Sequence, residues 1–396
     1  IAVIIVSLIP MLLYLKIESK AVQELDTSSF YFYSSMILGS VILFVFPAKR
    51  KGRDYSDWSK LLHKMLLDNY NISKSLFKLE NRLCRKRLQS QPGNFVIVTG
   101  LARGGTTALT NLLFESNKFY SLSYDNMPFL LSVNLWKKFY RPKKNKLKQR
   151  AHGDNIMFGY KTIEALEEYF FKVFLNDGFI SSDSLKEHDL NEDTYKAYLT
   201  YQQLIGMKNK DQIYLAKNNN LILRYKSLRK FNPQFKILLI FRSPLTHAYS
   251  LLNQHKRFSK LHSEDPFTLE YMDWLGHHEF GLNHKVFDLN TKDVRDKYDK
   301  SSINYWLAVW ISYYVYILHF IDDDPQMYLI DYTDLCESPR ELLLTLGIKL
   351  NMNLNIKQRD PYEEREIPEF DIAASLKHEA ERLYNELKKH KIVVIS

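Results

Sequence analysis

The stretch from Asn94 to Ser116 reads NFVIVTGLARGGTTALTNLLFES and decides the fold class. Residues 94–99 are mostly apolar and β-branched, which predicts a short buried strand. Glycines at positions 100, 104 and 105 follow, and the rest of the stretch has the pattern of a helix. A strand, a glycine loop and a helix N-terminus in this order predict a phosphate-binding turn in an α/β domain.

The glycine loop has the chemistry of an anion site. Its backbone N–H groups can close around an anion, while the helix dipole and the hydroxyls of Thr106 and Thr107 add to the attraction. The spacing fits G-x-x-x-x-G-K-[ST], but Thr106 stands where a nucleotide triphosphatase has lysine. The cation is Arg103 instead, and it can bridge two anionic groups and stabilise charge on a leaving oxygen.

A second motif lies in FKILLIFRSPLTHAYS, residues 235–250. The apolar run 235–241 predicts a buried strand that delivers Arg242 to the carboxyl edge of the sheet, where open α/β sheets bind ligands. Pro244 opens the next helix, and Ser250 follows Arg242 by eight residues.

Together the two motifs resemble the sulfotransferases that use 3′-phosphoadenosine 5′-phosphosulfate (PAPS). TGLARGGTTAL is similar to their 5′-phosphosulfate loop, and Arg242 with Ser250 is similar to their 3′-phosphate motif. Further segments resemble a bacterial, membrane-associated branch, so the resemblance covers most of residues 94–350: RAHGDNI (150–156), YLAKNNN (214–220), WLGHHEFG (274–281) and DYTDLCESP (331–339).

The resemblance implies an activity and a set of site residues. A sulfuryl group moves from PAPS to a hydroxyl acceptor, leaving 3′-phosphoadenosine 5′-phosphate (PAP), and no metal ion takes part. Lys217 matches the lysine that protein-tyrosine sulfotransferases carry before their 3′-phosphate strand, which implies contact with the transferring group. The implied donor-binding residues are Arg103, Gly104, Gly105, Thr106, Thr107, Ala108, Arg242 and Ser250.

The base that takes the acceptor's proton has several candidates. Related enzymes place an acid after the second strand, which favours Asp125, although Asn126 can occupy the position of the acid in the bacterial branch. His152 and Asp154 are alternatives, since a His–Asp pair can abstract a proton near neutral pH. For His277, His278 and Glu279 a packing or capping role is the better interpretation, because adjacent residues point in different directions.

Two other classes of protein compete with this interpretation. A P-loop kinase or ATPase would use MYLID (327–331) as an apolar strand with a magnesium-binding aspartate, but the loop lacks the required lysine. A non-catalytic, membrane-anchored binding protein is the second alternative. It gives no reason for Arg103, Lys217 and Arg242 to occur together.

Composition and charge limit the classes of protein to which the chain can belong. The chain has 396 residues, of which 45% are hydrophobic, with only 13 Gly and 12 Pro, and it can therefore bury a large core. The net charge of +10 comes from two basic patches, 49–53 and 137–150, so binding to nucleic acid over the whole surface is excluded. The two cysteines, Cys84 and Cys336, form no metal-binding pattern and favour a reducing compartment.

Two apolar runs near the start predict membrane spans. Residues 30–48 contain no charge and precede the basic patch 49–53, while 1–15 resemble the remainder of an earlier span. The basic flank predicts a multi-pass membrane protein with a cytoplasmic catalytic domain. A Golgi-type luminal domain is the alternative, for which glycosylation of Asn71 would be the sign.

The order of elements predicts an α/β fold, a P-loop-like and mostly parallel sheet with helices on both faces. A helical connector over 55–91 precedes a domain over 92–396 that ends in a helix over 370–396. Within it, an insertion over about 124–212 holds the helical TIEALEEYFFKVF segment and is expected to bind the acceptor, a saccharide or glycolipid. The basic run 137–150 is either a solvated loop or an anion-binding lid. The predicted strands are 94–99, 119–123, 213–216, 235–241 and 327–331.

Overall fold

The structure is a computed structural model that divides into two compact units, Ile1–Lys86 and Arg87–Ser396. The residues that it describes are 57–88, 93–139, 148–149, 157–158, 163–209, 211–289, 297–354 and 367–395. In the first unit, helices α1 (Asp57–Leu67) and α2 (Tyr70–Cys84) lie within the predicted helical connector. Asn69 caps α2, and its side chain accepts a hydrogen bond from the N–H of Ile72 (3.1 Å).

The second unit alternates strands and helices. Its strands are β1 (Phe95–Thr99), β2 (Phe119–Tyr120), β3 (Lys148–Gln149), β4 (Met157–Phe158), β5 (Ser184–Lys186), β6 (Ile213–Lys217), β7 (Lys236–Phe241), β8 (Val286–Asp288) and β9 (Met327–Asp331). Its helices are α3 (Thr106–Glu115), α4 (Val133–Phe139), α5 (Glu168–Leu175), α6 (Glu192–Ile205), α7 (Tyr225–Phe231), α8 (Pro244–Glu264), α9 (Pro266–Trp274), α10 (Ile303–Leu318), α11 (Tyr332–Glu337), α12 (Pro339–Leu350) and α13 (Ala374–His390).

The main sheet has five parallel strands in the order β2-β6-β1-β7-β9. In the central strand β1, Ile97 lies opposite Ala216 on one side and Ile237 on the other. The α/β fold with a parallel sheet is confirmed. The carboxyl ends of the parallel strands share one edge, so the loops after β1, β6, β7 and β9 converge there.

Both faces of the sheet are covered by helices, which explains the almost continuous apolar sequence of β1 and β7. On one face, Val96 and Val98 pack with leucines of α3 and α12 in a single buried cluster. On the other face, the ring of Phe95 meets that of Tyr198 from α6 edge-on, with 5.7 Å between centroids. Tyr314 of α10 donates a hydrogen bond to the carbonyl oxygen of Ile240 (3.1 Å). Successive side chains of a strand point to opposite faces, so one strand serves both layers.

Four of the predicted strands match β1, β6, β7 and β9 closely, whereas the strand predicted over 119–123 ends at Tyr120. Ser123 and Asn126 form a capping box around the turn Tyr124–Asn126, and this local hydrogen bonding replaces further strand pairing. Two small sheets add to the fold: β3 pairs with β4, and β5 pairs in parallel with β8. These strands have two or three residues each, too few for a periodic pattern.

The C-terminal part closes the edge of the sheet beside β9. Helix α13 packs against α10, within the helix predicted over 370–396. After it, the N–H of Ile392 donates to the carbonyl oxygen of Leu329 (2.9 Å). The Lys391 ammonium donates to both carboxylate oxygens of Asp334 at 2.7 and 2.8 Å. The terminal segment therefore covers an otherwise open strand.

The predicted multi-pass membrane location with a cytoplasmic domain is wrong as far as the described residues go. No helix among them combines the length and the apolar character that a bilayer span requires. The apolar helix α10 has 16 residues, about 24 Å at 1.5 Å per residue, against a hydrocarbon core of about 30 Å. The predicted spans, 1–15 and 30–48, lie outside the described residues.

Candidate active site

The loop between β1 and α3 is folded tightly enough to require glycine. Gly100 and Gly105 have φ of +146° and +104°, which side-chain-bearing residues rarely adopt. A Cβ atom at Gly100 would overlap the carbonyl oxygen of Ile240, and one at Gly105 would overlap the ring of Tyr332. The loop thus lies directly against β7 and the start of α11.

Helix α3 begins at the end of this loop without a side-chain cap. Gly105 is the N-cap, and no side chain caps the helix. Thr106 and Thr107 occupy the first two helical positions and are buried. The first N–H groups of a helix have no partner within the helix, and together with the dipole they favour an anion.

Arg103 lies inside the loop in a strained conformation and reaches the second predicted motif. Its φ is +70°, the left-handed region that is costly for a residue with a side chain. Its Nε donates a hydrogen bond to the Ser250 hydroxyl on α8 at 3.3 Å. The two predicted motifs, 147 residues apart in sequence, are therefore in direct contact.

Arg242 stands at the carboxyl end of β7, where the sequence predicted it. Its guanidinium lies over the ring of Tyr332, 4.6 Å from the centroid. The same ring fills the space beside Gly105. Tyr332 thus contacts both Arg242 and the glycine loop, a role that the sequence pattern did not reveal.

Lys217, the last residue of β6, faces the same loop. Its ammonium donates to the Thr107 hydroxyl at 2.7 Å and to the Glu164 carboxylate at 2.8 Å. The Lys217 side chain is 8% exposed and that of Glu164 is 6% exposed. Glu164 lies in the segment that the sequence predicted as an acceptor-side helix, although α5 begins only at Glu168.

The three asparagines after Lys217 tie the site to its surroundings. Asn218 donates to Glu167 at 3.0 Å, and Asn219 donates to Glu279 at 3.1 Å. The Asn220 side chain donates to the carbonyl oxygen of Gly276 at 3.3 Å. The YLAKNNN and WLGHHEFG segments, which the resemblance singled out separately, therefore meet beside Lys217.

His247 supports the glycine loop from behind. Its Nε2 donates to the carbonyl oxygen of Ala102 at 2.7 Å, and its side chain is fully buried. Burial, assisted by the positive charges of Arg242 and Arg103, lowers the pKa of His247 to about 3. The imidazole is neutral at physiological pH, so it fixes the loop without adding a charge.

Of the predicted bases, Asp125 is the one within the part of the chain that the structure describes. Asp125 lies in the turn Tyr124–Asn126 beyond the carboxyl end of β2, on the same edge of the sheet as Lys217, and its backbone carbonyl accepts from the Trp136 indole at 3.2 Å. Asn126 is buried as part of the capping box, a structural use of that side chain. His152 and Asp154 lie outside the described residues, as does most of the basic run 137–150.

The histidines of the WLGHHEFG segment pack, as the sequence predicted. His277 donates from Nε2 to the carbonyl oxygen of Ala165 at 3.0 Å. Burial is the main cause that lowers the pKa of His278 to about 3. Glu279 accepts from Asn219 and lines a small cavity behind Leu101 and Ala102.

Asp331, which the kinase interpretation would assign to magnesium, caps the helix α11. The residue is 1% exposed, and its carboxylate accepts from the Thr333 N–H at 3.0 Å as the N-cap of α11. Its second oxygen accepts from the Tyr384 hydroxyl at 3.4 Å. Among the described residues, no cluster of three or more His, Cys, Asp or Glu side chains could hold a metal ion.

The arrangement fits a ligand with two separate anionic groups. Two cations contact the loop and the helix that follows it, because Lys217 meets Thr107 and Arg103, within the loop, meets Ser250. Arg242 stands beyond, at the end of the neighbouring strand. Arginine and lysine side chains are common partners of phosphate and sulfate groups, so the arrangement can bind such groups at both places.

Among solved structures, sulfotransferase STF1 from Mycobacterium tuberculosis has 12% identity and a TM-score of 0.43, with 90% of each chain covered. STF9 from Mycobacterium avium has 13% identity and a TM-score of 0.43, covering 91% of this chain and 82% of that one. A sulfotransferase from Alicyclobacillus acidocaldarius has 15% identity and a TM-score of 0.38, covering 76% and 94%. No curated protein matches the sequence.

The family model named "Sulfotransferase domain" matches residues 94–353. This range begins at the strand before the glycine loop and includes Arg103, Lys217, Arg242 and Ser250. It covers more than half of the chain. The chain therefore belongs to the sulfotransferase domain family, and it is a PAPS-dependent sulfotransferase.

Proposed function

We propose that this sulfotransferase modifies a hydroxyl group of a saccharide or glycolipid, and that Arg103, Lys217 and Arg242 are its principal donor-site cations. The observation that carries the proposal is the contact of Lys217 with Thr107 at 2.7 Å. It brings a buried ammonium from one strand to the first turn of the helix that follows the loop. A single anion can then be bound by the helix N-terminus and by a cation from the next strand.

Sulfuryl transfer requires the acceptor oxygen, the sulfur and the leaving oxygen to lie in line, and it requires cations around the transferring sulfuryl group. In the proposed arrangement, backbone N–H groups of Gly104, Gly105 and Thr106 hold the 5′-phosphate, with Thr107 and Ala108 completing the first turn. Arg103 and Lys217 stabilise the charge that grows on the bridging and equatorial oxygens. Arg242 and Ser250 hold the 3′-phosphate, which distinguishes PAPS from ATP.

The acceptor is proposed to bind near the segment 163–172 and the asparagines after Lys217. This region supplies side chains with fixed hydrogen-bonding directions: Asn218, Asn219 and Asn220 are all buried and held by neighbouring segments. Buried polar groups that converge beside a reaction centre suit a polyhydroxylated acceptor such as a sugar. Asp125 and His152 stay predictions as proton acceptors.

The proposal is tested by transfer of labelled sulfate from PAPS to a panel of acceptors. The panel contains oligosaccharides, glycolipids, a tyrosine peptide and a simple phenol. We expect label in a saccharide or glycolipid, and at least a hundredfold lower transfer by Lys217→Ala and by Arg103→Ala. Lys196, an exposed lysine on α6 paired with Glu192, gives the matched control Lys196→Ala, which should transfer normally.

Transfer to the tyrosine peptide or the phenol alone would contradict the saccharide part of the proposal. Normal transfer by Lys217→Ala would contradict the assigned role of the strand-end lysine. The two results are independent, because the first concerns the acceptor and the second concerns the donor site.

A further inference from the structure

Glu164 is a carboxylate placed where an anion site would ordinarily exclude one. Its Oε2 lies 2.8 Å from Lys217 Nζ, and that ammonium lies 2.7 Å from the Thr107 hydroxyl. Only two consecutive hydrogen bonds therefore separate Glu164 from the helix N-terminus that binds the donor. A negative charge this close to an incoming phosphosulfate reduces donor affinity. Its presence calls for a role other than donor binding.

The need for a stable fold does not explain Glu164. A buried ion pair loses hydration on both sides, and apolar residues of similar volume are often as stable or more stable. The neighbouring carboxylates of Glu167 and Glu168 have hydrogen bonds that are typical of a structural role. Glu168 forms two hydrogen bonds of 2.6 Å with Arg224, while Glu167 accepts from Tyr198, Tyr214 and Asn218. Of these three glutamates, Glu164 is the one that contacts Lys217.

We infer that Glu164 is the general base of the reaction. This inference rests on the proposed sulfotransfer site and names the residue that completes it. In the transfer step, the acceptor oxygen forms the new O–S bond while its proton passes to the Glu164 carboxylate. The S–O bond to the 5′-phosphate breaks, and its electron pair stays on the phosphate oxygen of PAP. No oxidant, reductant or metal enters the balance.

Lys217 makes this role compatible with donor binding. An ammonium has three donors, of which one contacts Thr107 and one contacts Glu164. The third N–H can turn to the transferring sulfuryl group. The positive charge of Lys217 then lies between PAPS and the Glu164 carboxylate and attracts both of them. General base catalysis typically contributes 10²–10⁴-fold to a rate, which is the effect expected from Glu164.

The product state offers a test that needs no acceptor. After transfer, PAP occupies the site while Glu164 carries the proton, and binding of PAP alone should therefore favour a protonated Glu164. Calorimetric titration of the full chain with PAP at pH 7, in buffers of different ionisation enthalpy, measures the protons taken up. We expect proton uptake by the wild type and its loss in Glu164→Gln. Glu164→Asp keeps a carboxylate and should restore the uptake.

Affinity in the same titrations separates a base from a group that merely positions Lys217. Glu164→Gln removes a negative charge beside the anion, so PAP should bind at least as tightly as to the wild type. Release of labelled sulfate from PAPS, with water as the acceptor, should fall about a hundredfold or more. Asp125→Asn, which removes the predicted base, should keep the proton uptake of the wild type.

Three outcomes would overturn the inference. They are an unchanged proton uptake in Glu164→Gln, a tenfold weaker binding of PAP to that variant, and loss of the uptake in Asp125→Asn instead. Failure of the wild type to bind PAP would contradict the donor site itself. Thermal unfolding with and without PAP shows whether each variant is folded, and Glu164→Asp provides the folded comparison if Glu164→Gln is unstable.

Discussion

The Nε of Arg103 donates a hydrogen bond of 3.3 Å to the hydroxyl of Ser250. Arg103 belongs to the loop after β1, and Ser250 lies on α8 after β7, so the contact links the two anion-binding motifs. An arginine in the left-handed region keeps its side-chain direction only if its surroundings hold it. Ser250 is such a support, in addition to its proposed contact with the 3′-phosphate.

Replacing Ser250 with alanine should therefore weaken PAP binding through both effects. Hydrogen bonds to charged groups are worth about 1.5–3 kcal/mol, which corresponds to a loss of roughly tenfold or more in affinity. Ser263→Ala is the matched control, because Ser263 lies exposed on the same helix and donates only to the carbonyl oxygen of Ser259. Calorimetric titration of both variants with PAP makes the comparison. Equal affinity of the two variants would refute the role of Ser250.

Tyr332 should contribute to recognition of the 3′-phosphate through Arg242. A cation over an aromatic face gains about 0.5–2 kcal/mol, and the ring also keeps the guanidinium at the end of β7. We expect Tyr332→Phe to bind PAP normally and Tyr332→Leu to bind it about fivefold or more weakly. Adenosine 5′-phosphate lacks the 3′-phosphate, and its affinity should change less. Equal losses for both nucleotides would instead indicate damage to the glycine loop.

Buried histidines should make the fold sensitive to mild acid. Burial lowers the pKa of His247, His278 and His284 to about 3, whereas an unfolded chain protonates histidine near pH 6.5. Between pH 6.5 and pH 3 the unfolded state binds more protons than the folded state. The free energy of unfolding therefore keeps its full contribution from these histidines above pH 6.5 and loses it as the pH drops towards 3. Each histidine accounts for about 1.4 kcal/mol per pH unit well inside this window.

Urea unfolding at pH 7.0 and at pH 5.0 measures this dependence. His284→Gln should shrink the difference in unfolding free energy between the two pH values. Ser263→Ala, which removes no titratable group from the exposed face of α8, is the control and should leave the difference as in the wild type. A pH dependence that is the same in the wild type and in His284→Gln would contradict the assignment.

The strands and the strand-end cations follow from the sequence because both depend on local pattern. A buried parallel strand is a short apolar run, and the residue that follows it must lie at the carboxyl edge. Lys217 and Arg242 could be placed by that argument alone. The glycine loop also follows from local sequence, since the φ angles of +146° at Gly100 and +104° at Gly105 require glycine at these positions.

The contacts between distant segments could not be predicted in this way. Glu164 and Lys217 are separated by 53 positions, and the acid lies in a run that periodicity presents as an ordinary amphipathic helix. Tyr332 is the first residue of α11, and its contact with Arg242 could not be read from the segment 331–339 alone. Such pairs depend on how β6, β9 and the insertion pack, which is a property of the three-dimensional fold. The pairing of β5 with β8 could not be predicted for the same reason.

Binding of PAP to the full chain tests the central claim most directly. Calorimetric titrations compare PAP with ATP and magnesium, for the wild type and for Arg242→Ala. The account predicts tight binding of PAP without metal, a large loss of affinity in Arg242→Ala and little binding of ATP. Preference for ATP with magnesium, or unchanged binding of PAP to Arg242→Ala, would contradict it.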